Sequence, residues 1–252
     1  MGHDLDLLNV LILFGVGFAA GIINTLAGGG SLLTLPTLIF LGLPPTVANA
    51  TNRIGVIFNS FFAWQGYRSK GLKADKYALV LGLVSLVGAY LGSLIAIDIN
   101  GELFNKILAG VIVIIVAYML FGKSVKAGDV EIHTPRSRIF GFISFFIIGI
   151  YGGFLQAGVG YLIMASLSFI HNMSIVKVNL IKAFVVVIYT ISALAVFIYN
   201  DLINWSLGIA LAIGMSVGGW LTSRWSVSVN EKYVKYFVMI TAIGFAVKLF
   251  FF

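Results

Sequence analysis

Residues 7–41 run for 35 positions without a charged side chain. As one helix they would measure about 52 Å at about 1.5 Å per residue, against a bilayer hydrocarbon core of about 30 Å. Such a run has to fold back on itself. The turn lies in Asn24-Thr25-Leu26-Ala27-Gly28-Gly29-Gly30-Ser31, where each glycine weakens a helix by roughly 1 kcal/mol relative to alanine and admits positive φ. A second interrupted run, 139–170, carries Gln156-Ala157-Gly158-Val159-Gly160 near its centre. Helix-free backbone at membrane depth is tolerated only where protein or an aqueous cavity satisfies it. The two breaks are therefore expected to face each other near the midplane and to line a substrate path.

Segments 47–66, 77–97, 103–121, 175–199, 205–222 and 233–251 are also apolar and of spanning length. Only 10% of the residues are charged, far below the roughly 25% of a soluble domain. This composition predicts an all-α, multi-pass protein of the cell (inner or plasma) membrane. The first segment is expected to be retained, because Asp4 and Asp6 replace a basic leader and no small-residue cleavage site follows. The chain has no cysteine, which removes disulfides and thiolate ligands. His3, His133 and His171 read as isolated residues in loops or at segment ends, so neither a metal nor a cofactor is expected. The net charge of +7 comes from Lys and Arg gathered in loops on one side, the positive-inside pattern, rather than from a nucleic-acid-binding stripe.

The chain repeats itself at a shift of 130 residues: Val87-Gly88-Ala89-Tyr90-Leu91-Gly92-Ser93 falls on Val217-Gly218-Gly219-Trp220-Leu221-Thr222-Ser223, and Asn49 on Asn179. Two transmembrane repeats follow, 1–122 and 139–252, joined by a polar cytoplasmic linker, 123–138. Loop 67–76 holds Arg68, Lys70, Lys73 and Lys76, whereas its mate 200–204 holds only Asp201. Matched loops are thus expected on opposite sides, and the repeats inverted. Inversion needs an odd number of crossings per repeat. That is met by a broken, re-entrant hairpin plus three transmembrane helices in each half, making eight hydrophobic segments and about ten helical legs.

At each break a new helix is expected to start, near Ser31 and near Gly160-Tyr161, offering free amides and the positive end of its dipole. Arg53 and Lys182 stand inside apolar segments that contain no carboxylate. A charge there calls for a function or a partner, and the natural partner is a bound anion. Asn49, Asn52 and Arg53 share one helix face, and Asn179 and Lys182 share the equivalent face of the second half. The candidate substrate-binding set is Asn24, Thr25, Gly28, Gly29, Gly30, Ser31, Asn49, Asn52, Arg53, Gln156, Ala157, Gly158, Gly160, Tyr161, Asn179 and Lys182. No embedded His, Asp, Glu or Cys is available as base, nucleophile or metal ligand, which argues against an enzyme.

The segments 21–31 (Gly-Ile-Ile-Asn-Thr-Leu-Ala-Gly-Gly-Gly-Ser), 48–53 (Ala-Asn-Ala-Thr-Asn-Arg) and 152–160 (Gly-Gly-Phe-Leu-Gln-Ala-Gly-Val-Gly) resemble the sulfite exporter TauE/SafE family of membrane permeases. The resemblance covers essentially the whole chain and implies a permease for sulfite, sulfonates or related organosulfur anions. The expected partners are that oxyanion and the lipid bilayer, with no nucleic acid; a homo-oligomer is left open. An anion channel and a membrane subunit of a larger transport system are the alternatives. The second half has Lys182 where the first has Asn52, and Ala183 where it has Arg53, a departure from strict two-fold symmetry at the site.

Overall fold

The computed structural model describes residues 7–121 and 131–225. Among these residues the secondary structure is helical: α1 (Leu7–Ala27), α2 (Ser31–Phe40), α3 (Pro45–Arg68), α4 (Lys76–Asp98), α5 (Gly101–Phe121), α6 (Pro135–Phe154), α7 (Val159–His171), α8 (Ile175–Tyr199) and α9 (Trp205–Trp225). The last expected leg, 233–251, lies outside the described residues, as do residues 123–130 of the linker. The helix boundaries follow local chemistry. Pro45 and Pro135 occupy the first turns of α3 and α6, where a missing N–H costs nothing. The Asp75 carboxylate caps α4 by accepting from the Ala78 amide at 2.8 Å.

The two long runs break where the glycines stand. α1 gives way to the 10-residue α2 after Gly28, whose φ is +76°, and α6 gives way to the 13-residue α7 after Gln156 and Gly158, at φ +65° and +69°. Neither short helix is long enough to cross a bilayer, which takes about 20 residues. α1, α4, α6, α8 and α9 are long and apolar enough to do so. The outward faces are greasy: Leu83, Val87, Leu91 and Ile95 form an exposed stripe along α4. With lipid as the solvent such a stripe needs no cover, and the chain is a multi-pass membrane protein.

α4 packs on α6 and α8, α9 packs in the matching way on α1 and α3, and α3 meets α8 between these layers. Small residues bring the backbones together. Gly88 and Gly92 of α4 lie against the Phe146 and Ile150 carbonyls of α6, and Gly214 and Gly218 of α9 against those of Phe14 and Phe18 on α1. α3 and α9 run side by side in the same sense. The Asn204 amide donates to Thr51 Oγ1 at 3.0 Å near the start of α3, and Gly66 packs on Ser223 near its end. The turns 69–75 and 200–204 consequently sit at opposite ends of α3.

The end of the linker is tied to the second half. The Ile132 amide donates to the His171 carbonyl at 2.9 Å, and Glu131 pairs with Lys177 of α8 at 2.6 Å. The Lys177 hydrogen bond is the main reason the Glu131 carboxyl is held below its ordinary pKa. His133 and His171 are not isolated as expected from sequence: their rings stack at 6.0 Å, and His171 Nε2 meets the Tyr77 hydroxyl at 2.9 Å. The residues are 38 positions apart in the chain, so only folding brings them together.

Candidate functional site

α3 carries Asn49, Asn52, Arg53 and Asn59, and all four are buried. In a helix surrounded by apolar neighbours each of these side chains must find a partner, since an unpaired buried polar group costs about 1–3 kcal/mol. Asn52 bridges the first hairpin by donating from Nδ2 to Ser31 Oγ at 3.1 Å and accepting at Oδ1 from Thr34 Oγ1 at 2.6 Å. Asn49 donates to the Phe154 carbonyl at 2.8 Å. Arg53 donates to the Gly152 carbonyl at 2.7 Å, to the Gly153 carbonyl and to Gln156 Oε1, and its guanidinium lies over the Phe197 ring at 4.9 Å.

Lys182 makes the corresponding connection from the other side. Its Nζ donates to the Thr25 carbonyl in the last turns of α1 at 3.0 Å and to Asn179 Oδ1 at 2.8 Å. Each buried cation therefore reaches across to the carboxy-terminal end of the broken helix in the opposite half, where unpaired carbonyls carry the negative end of the dipole. Arg53 serves α6 and Lys182 serves α1.

The breaks themselves touch. The Gly160 amide donates to the Gly28 carbonyl at 3.2 Å, and a β-carbon on either glycine would run into the backbone of the other. Beside this crossing lies a cavity of about 10 Å³, on the scale of a single water. It is lined by Asn24, Thr25, Ser31, Asn59, Ser60, Gln156, Gly160, Asn179 and Lys182 together with apolar residues of α3, α7 and α8. Thr25 Oγ1 and Gln156 Nε2 are buried and have no hydrogen-bond partner within the protein. Two uncommitted polar groups, one of them a pure donor, thus border the same space as an ammonium group.

Seven residues expected from sequence meet at this cavity: Asn24, Thr25, Ser31, Gln156, Gly160, Asn179 and Lys182. Gly28, Gly29, Gly30 and Ala157 build the breaks without lining it. Gly29 packs on the Tyr161 ring and Gly30 on Ala20 and Asn24. Gly158 and Tyr161 line an apolar groove between α5, α6 and α7 instead. Asn49, Asn52 and Arg53 stand behind the lining and face helix ends and hairpin side chains. Two polar lining residues, Ser60 and Asn59, were not expected from sequence, and Asn59 is the one that ties helices together. Its Oδ1 accepts from Asn24 Nδ2 at 2.7 Å and its Nδ2 donates to the Met215 carbonyl at 2.8 Å, joining α1, α3 and α9. A signal existed, because Asn59 follows Asn52 by seven residues and so lies on the same helix face.

The model of the sulfite exporter TauE/SafE family matches residues 13–249. A probable membrane transporter protein, ORF9, of Sinorhizobium sp is 29% identical over 98% of this chain and 94% of its own length. The probable membrane transporter protein YfcA of Escherichia coli K12 is 25% identical over 94% of this chain and 88% of its own. A sulfite exporter TauE/SafE family protein 3 of Arabidopsis thaliana is 29% identical over 49% of this chain and 25% of its own length. No solved structure matches.

Proposed function

Because the chain belongs to the sulfite exporter TauE/SafE family, whose members here are named membrane transporters, we propose that it is a secondary transporter of a small sulfur oxyanion such as sulfite or a sulfonate. The observation that carries this reading is the cavity at the Gly28–Gly160 crossing. An ammonium, an unpartnered amide nitrogen and an unpartnered hydroxyl converge there, and these groups suit an oxyanion's several acceptor oxygens. The cavity is too small for a polyatomic anion, so loading requires the breaks to part on one side while the other stays closed. That requirement is alternating access, with the two hairpins as the parts that move. A channel would instead keep an open lining.

The reading includes two inverted repeats, 1–122 and 139–252, and it is supported by α4 packing on α6 and α8 as α9 packs on α1 and α3, and by the turns at opposite ends of α3. Single cysteines at Gly71 and Asp201 are expected to react with a membrane-impermeant reagent from opposite faces of the membrane, with no native cysteine to confuse the assay. Labelling of both positions from one face would remove the inversion. The transport claim is tested in proteoliposomes against sulfite, sulfonates, sulfate and carboxylates. Saturable uptake of a sulfur oxyanion is expected, and a panel with no transported anion would overturn the proposal.

A further inference from the structure

Gln156 has to decide which end of its amide faces the cavity. An isolated glutamine amide is ambivalent, with a carbonyl oxygen at one corner and two N–H donors at the other. Here the choice is made from behind. Arg53 Nη1 lies 2.5 Å from Gln156 Oε1, and a guanidinium has only donors to offer, so the oxygen must turn toward it. The amide nitrogen is then directed away from Arg53. It is the Gln156 atom left buried without a partner, on a residue that lines the cavity.

The guanidinium is itself firmly held. It donates also to the Gly152 and Gly153 carbonyls, lies over Phe197, and is fully buried. Gln156 is rooted at the end of α6 in a left-handed backbone conformation, φ +65°, that a non-glycine residue adopts only under surrounding constraint. Arg53 is not among the residues that line the cavity.

We propose that Arg53 is a positioning residue, a donor-only group that locks the Gln156 amide with its NH2 toward the cavity and so makes Gln156 the side chain that selects for an anion. The proposal rests on the anion site argued above and adds that Arg53 acts on the anion only through Gln156. Replacing the glutamine by glutamate preserves size and keeps Arg53 paired, but it presents a carboxylate oxygen where the donors stood.

The test is a double-mutant cycle read as the apparent binding constant for sulfite in proteoliposomes, with folded protein counted by size-exclusion chromatography. Gln156→Ala is expected to raise that constant roughly ten-fold or more, as loss of one donor to a charged ligand does. Arg53→Met is expected to weaken sulfite binding in the native background and to add less than about three-fold in the Gln156→Ala background. An equal effect of Arg53→Met in both backgrounds means direct contact with the anion and overturns the proposal. If Arg53→Met does not fold, Gln156→Glu decides. It is expected to be as thermally stable as the native protein and to transport no sulfite, and native uptake by Gln156→Glu overturns the proposal. Should Lys182→Gln weaken sulfite binding while the cycle proves additive, the anion site stands and only the positioning role falls. If the unaltered protein takes up no anion, the site falls and the positioning role with it.

Discussion

If the proposed anion site is right, Lys182→Gln is expected to raise the apparent binding constant of the transported anion by roughly ten- to more than a hundred-fold, and Lys182→Glu to abolish its uptake. The first figure follows from one hydrogen bond to a charged group, worth about 1.5–3 kcal/mol. Lys182 is 3% exposed, and its Nζ is held by the Thr25 carbonyl and Asn179 Oδ1. Both are neutral acceptors, and Lys182 lines the cavity. Glutamine keeps a donor for these acceptors, on a shorter side chain, and removes the charge, which makes it the cleaner of the two variants. A carboxylate would face the Thr25 carbonyl across a poorly screened space and repel the anion as well. Initial uptake rates against concentration, normalised to protein in the membrane, measure the effect. A Lys182→Gln variant with native concentration dependence would reduce the lysine to a cap on α1.

Gly28→Val and Gly160→Val are both expected to lose much of the folded protein, the Gly28 variant more of it. A β-carbon at either position enters the backbone of the other, and the Gly160 to Gly28 hydrogen bond cannot form at the greater separation. Overpacking alone costs about 1–3 kcal/mol. At Gly28, with φ +76°, the left-handed conformation adds about 1–2 kcal/mol for a residue with a β-carbon. Backbone cannot step aside as a flexible side chain can. Gly110 of α5 is the control, since a β-carbon there meets nothing within 4 Å and Gly110→Ala is expected to be neutral or stabilising by about 0.5–1 kcal/mol. Thermal unfolding of the purified proteins in detergent separates these cases. Equal midpoints for Gly160→Val and the native protein would mean that the two breaks stand apart in the working molecule.

Local signals alone placed the membrane class, the positions of both breaks and the polar faces of α3 and α8. Length without charge, consecutive glycines and three- and four-residue spacing are properties of contiguous residues, and they read the same before and after folding. The start of α2 at Ser31 follows that pattern. What each buried cation touches was not legible. Arg53 and its carbonyl partners are about 100 residues apart, and nothing in the sequence near either one signals that a guanidinium from one half caps the broken helix of the other. The same holds for Asn59, whose spacing puts it on the right face but whose tie to Asn24 and Met215 exists only once three helices pack. A charge inside an apolar segment announces that a partner is required. Whether that partner is a ligand or the exposed end of another helix is settled only by which helices become neighbours.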